Sequence, residues 1–198
     1  MKRTILLMLV FSLSLSAISY AQDGKSKEQK KLSRAEKKAL KQAQMKAEKD
    51  SILQIIESKQ WVMESYQLQF RGRYNYNVSP SNNFIVVKGD RFLWQYAFNG
   101  ATGANGIGGA TLDGRFTKFE VNPGDKVKSA IRIQMKTLAS GTGPVSITMS
   151  VNSDGDAKIF IQPSFRNEYM IFIGKLVPLD ATNNYKGLWA NIYKGSLF

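Results

Sequence analysis

The chain has 198 residues, a formal net charge of +13, and neither histidine nor cysteine. The lack of cysteine excludes disulfides, thiolate nucleophiles and cysteine-held zinc or iron–sulfur centres. The lack of histidine excludes Ser-His-Asp and Cys-His catalysis and removes the commonest transition-metal ligand. We therefore expect no cofactor, no metal site and no catalytic residues. Only chemistry that uses carboxylates alone stays open.

The N-terminus has the pattern of a secretory signal peptide. A basic start at residues 1–4 precedes an apolar run at residues 5–15, and small residues occupy the two positions that signal peptidase recognises. This run is too short for a spanning helix, which needs about 20 apolar residues. We predict cleavage of residues 1–21 between Ala21 and Gln22 and export, most simply to the periplasm. Because no cysteine follows the cut, the mature protein is not expected to be a lipoprotein.

Residues 22–59 are predicted to form a basic helical segment. They carry 11 Lys/Arg against six Asp/Glu, a net +5, and contain no proline. Ser33 and Glu36 have the spacing of a capping box, which favours a helix start. The apolar stripe is weak until residues 52–56, so we expect an exposed helix whose last two turns dock on the following domain.

The lysines of this helix suggest a partner with negative charge. For an exported protein, anionic lipid or an acidic polymer binding through residues 25–49 is a better candidate than nucleic acid, which we do not expect as a partner. The alternative interpretation is a solvated Lys-rich surface. A membrane-surface helix would need more bulky apolar residues than this stretch provides.

Residues 60–198 are predicted to form an antiparallel β domain. Apolar and polar residues alternate with period two in residues 131–136, 145–151 and 157–162, which indicates strands with one buried face. Turn signals such as Gly89-Asp90 and Asp113-Gly114 separate the predicted strands. The fold class is therefore mainly β: a meander that closes as a sandwich or small barrel after one long basic helix. The strands are too short and the C-terminal positions too polar for an outer-membrane barrel.

A strand between residues 91 and 98 places four aromatic rings on one face: Phe92, Trp94, Tyr96 and Phe98. Such a row is typical of a domain core. The alternative is a ligand cavity inside a barrel, lined by Trp94, Tyr96 and Phe98. A glycine cluster follows at residues 100–109, and it lacks the sequence context of a phosphate-binding loop. We interpret the cluster as a strand connection and, since rim loops often carry function, as a place to look for a site.

The turn and strand residues resemble a known family. The run Val86-Val87-Lys88-Gly89-Asp90, then residues 96–100 and Gly108-Gly109, and later residues 155–159 and 166–176, are similar to an uncharacterised family of exported Bacteroidetes proteins, domain of unknown function 4251. The resemblance covers roughly residues 59–180. It implies a β fold and no site residues. The basic helix and the tail at residues 181–198 are additional to it, and their roles stay open.

Two classes of function fit these observations. The first is a non-enzymatic exported cell-envelope domain that binds a small apolar ligand, an envelope polymer or a protein. The second is a structural or tethering module that uses its basic helix at an anionic surface. A carboxylate-dependent hydrolase is a third possibility, although nothing in the spacing of the carboxylates selects a catalytic pair.

Overall fold

The structure, a computed structural model, describes residues 33–70, 74–97, 109–139, 143–164 and 169–192. The chain divides into two compact units, Met1–Gln44 and Met45–Phe198. In the first unit the described part is the beginning of helix α1, which runs over residues 33–57. The predicted signal peptide and its cleavage site at Ala21 and Gln22 lie outside the described residues. Within the described ranges, no helix is both long and apolar enough to cross a membrane.

The second unit is a closed antiparallel barrel. Strand β1 (Gln60–Phe70) pairs along one edge with β3 (Phe84–Lys88) and along the other with β9 (Met170–Pro178), so the sheet closes on itself. A short β2 (Tyr74–Asn77) pairs with the end of β1. The remaining strands follow around the barrel in chain order: β4 (Arg91–Ala97), β5 (Gly109–Asn122), β6 (Ile131–Ala139), β7 (Gly143–Val151) and β8 (Asp156–Pro163). The predicted antiparallel meander is confirmed, and it closes as a barrel.

Apolar side chains line the interior of the barrel. Strands β6, β7 and β8 alternate buried and exposed side chains, as their sequences predict. The largest side chains in this core, all at most 1% exposed, come from β1, β4 and β9. The last turns of α1 join the same core, since Ile56 is fully buried and Ile52, Leu53 and Ile55 pack against it. Full burial of such a side chain stabilises the fold by about 1.5–3 kcal/mol.

One predicted turn is part of a strand. Asp113-Gly114 lies inside β5, which is longer than its alternation indicates. A Cβ atom on Gly114 would lie 2.1 Å from the carbonyl oxygen of Leu138 and 2.7 Å from Cε1 of Phe92. This glycine therefore permits a close approach between β5 and its neighbours, and the prediction of a turn at this pair was wrong.

The C-terminal segment covers part of the outer barrel surface. A 3-10 turn, Leu179–Ala181, leads into the short helix α2 (Lys186–Ile192). Leu179 and Tyr185 are buried against outward-facing side chains of β1, β3 and β4, namely Val62, Phe84, Val86 and Leu93. The sequence left the role of this tail open. In the structure, the tail shields an apolar patch that the barrel would otherwise expose.

Candidate functional site

Of the aromatic residues predicted as core or cavity lining, Phe92 and Trp94 are buried in the barrel interior and Tyr96 packs against them. Trp94 is 1% exposed, and its ring centroid lies 5.2 Å from that of Tyr96 and 5.6 Å from that of Phe172. Tyr96 is half-buried, and Phe98 lies outside the described residues. Trp94 is thus buried and has aromatic neighbours on β4 and β9. Of the glycine cluster at residues 100–109, only Gly109 is described, as the first residue of β5.

Among the described residues, three buried polar side-chain atoms in this apolar interior have no hydrogen-bond partner. The indole nitrogens of Trp61 and Trp94 and the hydroxyl of Thr137 are buried and make no hydrogen bond within the described structure. Burying an unpaired hydroxyl or amide costs about 1–3 kcal/mol in protein mutational data. These groups can therefore donate to an acceptor that enters the barrel.

A polar pocket opens on the outer surface where β5 turns into β6. Its volume is about 360 Å³, and its lining comes from both strands, the turn and one residue of β7. The lining residues are Asn122, Gly124, Asp125, Ser129, Ala130, Arg132 and Ser150. Guanidinium, carboxylate, amide and hydroxyl groups therefore share one concave site, the chemistry with which proteins bind small polar ligands.

Local interactions shape the turn that forms one wall of the pocket. The side-chain oxygen of Asn122 accepts a 2.8 Å hydrogen bond from the amide of Gly124, which has a positive φ of 72°. Ser129 donates its amide to the carbonyl of Lys126 at 2.9 Å. The ammonium of Lys49, a buried residue of α1, donates to that same carbonyl at 2.7 Å. Asx-type turn chemistry and a charged anchor thus hold the pocket wall in place.

Arg132 supplies the positive charge of the pocket. In the sheet it is directly opposite Asn122 on β5 and Ser150 on β7, so the three side chains emerge side by side. Two basic side chains on the neighbouring strand β5 have acidic partners: Arg115 lies 3.8 Å from Asp90 and Lys118 lies 2.9 Å from Glu120. Among the described residues, Arg132 forms no ion pair. Its guanidinium is exposed and available to an anion.

The rest of this outer face is polar and basic. Exposed Lys136 and Lys158 emerge beside Ser146 and Ser150, their direct partners on β7. Phe160, on β8, is half-buried and stacks on Tyr169, with ring centroids 4.8 Å apart. We call the outward-facing residues of β5 to β8 the basic face.

Several carboxylates of the described residues make local structural contacts. Glu64, on β1, accepts hydrogen bonds from Thr182 and Asn184 and so attaches the C-terminal tail to the barrel. Across the described ranges, no three acidic, histidine or cysteine side chains cluster closely enough to hold a metal ion. The carboxylates predicted at turns are used locally, as where Asp154 caps the amide of Asp156 at 3.0 Å.

Sequence reasoning did not identify the pocket. Its residues come from positions 122 to 150, and Arg132 is one of several basic residues in an alternating strand. The Asn-Pro-Gly-Asp run at residues 122–125 was a usable signal for a structured turn. Only the pairing of β6 with both neighbours shows that Arg132 lies between Asn122 and Ser150.

Comparison with known proteins identifies a family. The model of a domain of unknown function, DUF4251, matches residues 43–176. A crystal structure of a DUF4251 family protein from Bacteroides eggerthii DSM 20697 is similar, with 30% sequence identity and a TM-score of 0.58 over 74% of this chain and 97% of that chain. No curated protein matches the chain. The chain therefore belongs to the DUF4251 family, whose function is unknown.

Proposed function

We propose that this chain is an exported, non-enzymatic binding module that takes an anionic polar ligand at the β5–β6 pocket. The observation that carries the proposal is the guanidinium of Arg132, which has no ion-pair partner among the described residues and lines a polar pocket of about 360 Å³. Arginine binds carboxylates and phosphates through two parallel hydrogen bonds. The hydroxyls of Ser129 and Ser150 and the amide of Asn122 add donors and acceptors around that charge.

Asp125 narrows the class of ligand. Its carboxylate lines the same pocket and would repel a compact anion of high charge. The same carboxylate can accept hydrogen bonds from hydroxyl groups. A ligand that carries one acidic group and several hydroxyls satisfies both Arg132 and Asp125, and such ligands include acidic sugars.

The pocket supports binding better than catalysis. Arginine does not exchange protons in proteins, so Arg132 can recognise charge but cannot act as a general acid or base. Asp125 is the one carboxylate in the pocket lining, whereas glycoside hydrolysis uses two that face each other. Export rests on the signal-peptide pattern of residues 1–21. N-terminal sequencing of the protein from its native host should begin at Gln22.

The test is a titration of the folded protein with glucuronate, followed by amide chemical shifts. We expect shifts around Ser129, Arg132 and Ser150, and roughly tenfold or more weaker binding in Arg132→Ala, because a hydrogen bond to a charged group is lost. Arg132→Lys should recover part of the affinity. Arg115→Ala is the matched control, since Arg115 is also exposed, on β5, but is paired with Asp90. Unchanged binding in Arg132→Ala would reject the pocket.

A second candidate function uses the basic helix. In residues 33–44, the side chains of Arg34, Lys37, Lys38 and Lys41 are all exposed, which suits attraction to an anionic surface. Lys30 and Lys31 of the predicted interaction segment lie outside the described residues. Co-sedimentation with anionic vesicles at low and high salt tests this function, with Lys37→Glu/Lys38→Glu as the variant. If the wild-type chain stays in the supernatant at low salt, the tethering function fails.

A further inference from the structure

We propose that the ligand is a linear acidic polysaccharide that lies across the basic face, with one acidic sugar in the Arg132 pocket. This inference rests on the proposed function, since the pocket supplies the first contact. It adds an extended site formed by Lys136, Lys158 and the aromatic pair Phe160–Tyr169. A chain of sugars with regularly spaced carboxylates matches both the charges and the rings.

The charges are spaced for an extended ligand. Arg132 and Lys136 are four residues apart on β6, about 13 Å along the strand. Arg132 and Lys158 are two strands apart, because Ser150 pairs with both, and are therefore separated by about 10 Å. A single sugar in the pocket cannot reach all three cations, whereas an oligomer can. Within the described part of the chain, neither Lys136 nor Lys158 forms an ion pair.

The register places two like charges side by side. Lys118 and Lys136 are direct cross-strand partners on the exposed surface of β5 and β6. Directly opposed like charges destabilise a sheet. Lys118 has a carboxylate partner, Glu120 at 2.9 Å, whereas Lys136 has none among the described residues. An anionic chain that passes over this pair would relieve the repulsion, so charge complementarity favours an anion here.

The aromatic pair distinguishes a sugar chain from a polyanion that carries no rings. Phe160 is two residues from Lys158 on the same outward face of β8 and is directly opposite Thr148. With Tyr169 stacked on it at 4.8 Å, it presents an apolar surface among hydroxyls and cations. Aromatic faces carry negative charge and attract the polarised C–H groups of a sugar ring. A polyanion without sugar rings gains nothing from that surface.

The experiment compares three probes by calorimetry and amide chemical shifts: galacturonate, hexagalacturonate and a poly-glutamate peptide of equal charge. We expect hexagalacturonate to bind more tightly than galacturonate and to shift residues from Arg132 to Phe160. Lys136→Ala and Lys158→Ala should each lower the affinity for hexagalacturonate by about two- to fivefold, the range of an exposed ion pair. Phe160→Leu should lower the affinity for hexagalacturonate and leave the affinity for poly-glutamate unchanged. Lys186→Ala, on α2, is the control.

Each outcome has one meaning. Binding of galacturonate at the pocket with no gain for the hexamer overturns the extended site and leaves the proposed function intact. Absence of binding by galacturonate and hexagalacturonate overturns both. If every variant changes the affinities for hexagalacturonate and poly-glutamate equally, and Phe160→Leu changes neither, the assignment to a polysaccharide is overturned. Thermal melts of each variant show whether it is folded, and Lys136→Gln and Lys158→Gln serve if an alanine variant is unstable.

Discussion

The ammonium of Lys49 donates a 2.7 Å hydrogen bond to the carbonyl oxygen of Lys126, and this bond joins helix α1 to the turn that walls the polar pocket. Lys49 is 8% exposed, so most of its side chain is out of contact with water. A buried ammonium needs acceptors to offset its loss of hydration. The helix therefore contributes to the pocket as well as to the apolar core.

Substitution of Lys49 should loosen the turn. Lys49→Met keeps the apolar stem but leaves the carbonyl of Lys126 without this donor, which we expect to cost about 1–3 kcal/mol. Amide exchange at Ser129 should become faster. Lys46→Met is the control, because Lys46 is 68% exposed and its 3.3 Å pair with Asp50 is a surface pair. Equal stability of the two variants in urea would show that the Lys49 contact is unimportant.

Substitution of Thr137 tests whether its hydroxyl is buried without a hydrogen-bond partner in the barrel interior. Its hydroxyl is buried without a hydrogen-bond partner in the described structure, so Thr137→Val, which is close to isosteric, should raise the free energy of unfolding by about 1 kcal/mol. Thr148→Val, on the exposed face of β7, should change it little. A loss of stability in Thr137→Val would mean that the hydroxyl has a partner, such as an internal ligand, and native mass spectrometry would then identify it.

Substitution by alanine should change stability in opposite directions at two glycines. Gly114→Ala brings a Cβ atom within 2.1 Å of a backbone oxygen, so the strands must separate, and we expect destabilisation of at least about 2 kcal/mol. Gly187→Ala, in α2, meets nothing within 4 Å and should stabilise by up to about 1 kcal/mol through helix propensity. Chemical denaturation measures both. A Gly114→Ala variant as stable as wild type would contradict the close approach of β5 to β4 and β6.

The tail should detach at alkaline pH. Burial, and secondly the negative charge of Asp180, raise the pKa of Tyr185 above its ordinary value of 10.0. The folded state therefore favours the protonated phenol. Its stabilising contribution is complete below pH 10.0 and is lost as the pH rises through the elevated folded pKa. Ionisation also removes the 3.2 Å hydrogen bond from the hydroxyl to the carbonyl of Leu179.

Unfolding of wild type and Tyr185→Phe between pH 8 and 11 measures this effect, with each pH value chosen around the ordinary tyrosine pKa of about 10. We expect wild type to lose stability relative to Tyr185→Phe as the pH rises above that value. A constant difference between the two proteins across this range would exclude ionisation of Tyr185 as the cause. Tyr66→Phe, at a residue 48% exposed, corrects for tyrosines at the surface.

The compact unit should fold without the first unit. Residues from Met45 onward contain the barrel and the docked turns of α1. Removal of residues 22–44 should leave the melting temperature nearly unchanged. Ile56→Asp should lower it strongly, because Ile56 is 0% exposed and a buried carboxylate lacks compensation. Unfolding of the shortened protein would show that the barrel depends on the segment before Met45.

Local patterns in the sequence determined much of the secondary structure of this protein. Alternation at Ile131, Ile133 and Met135 was sufficient to predict β6 and its buried face, because side chains of a strand point alternately to its two sides. The aliphatic stripe at residues 52–56 likewise predicted the docked turns of α1. Both patterns depend on the geometry of one element, so neighbours in sequence carry the information. The short β2 and helix α2 have no comparable pattern and were not predicted.

Pairing between strands distant in sequence decided the closure of the barrel, the close approach of β5 to its neighbours and the composition of the candidate site. Trp61 pairs with Pro178 across more than a hundred residues, and no local pattern distinguishes this closure from a sandwich. In the sequence, Gly114 has the pattern of a turn residue. The structure shows instead that it lies in β5 and allows the carbonyl of Leu138 to approach closely. Arg132 becomes a candidate ligand-binding residue only when Asn122 and Ser150 are placed on either side of it. The register between strands sets these contacts, and it depends on the whole barrel, because a slip of one residue would reverse every side chain of a strand.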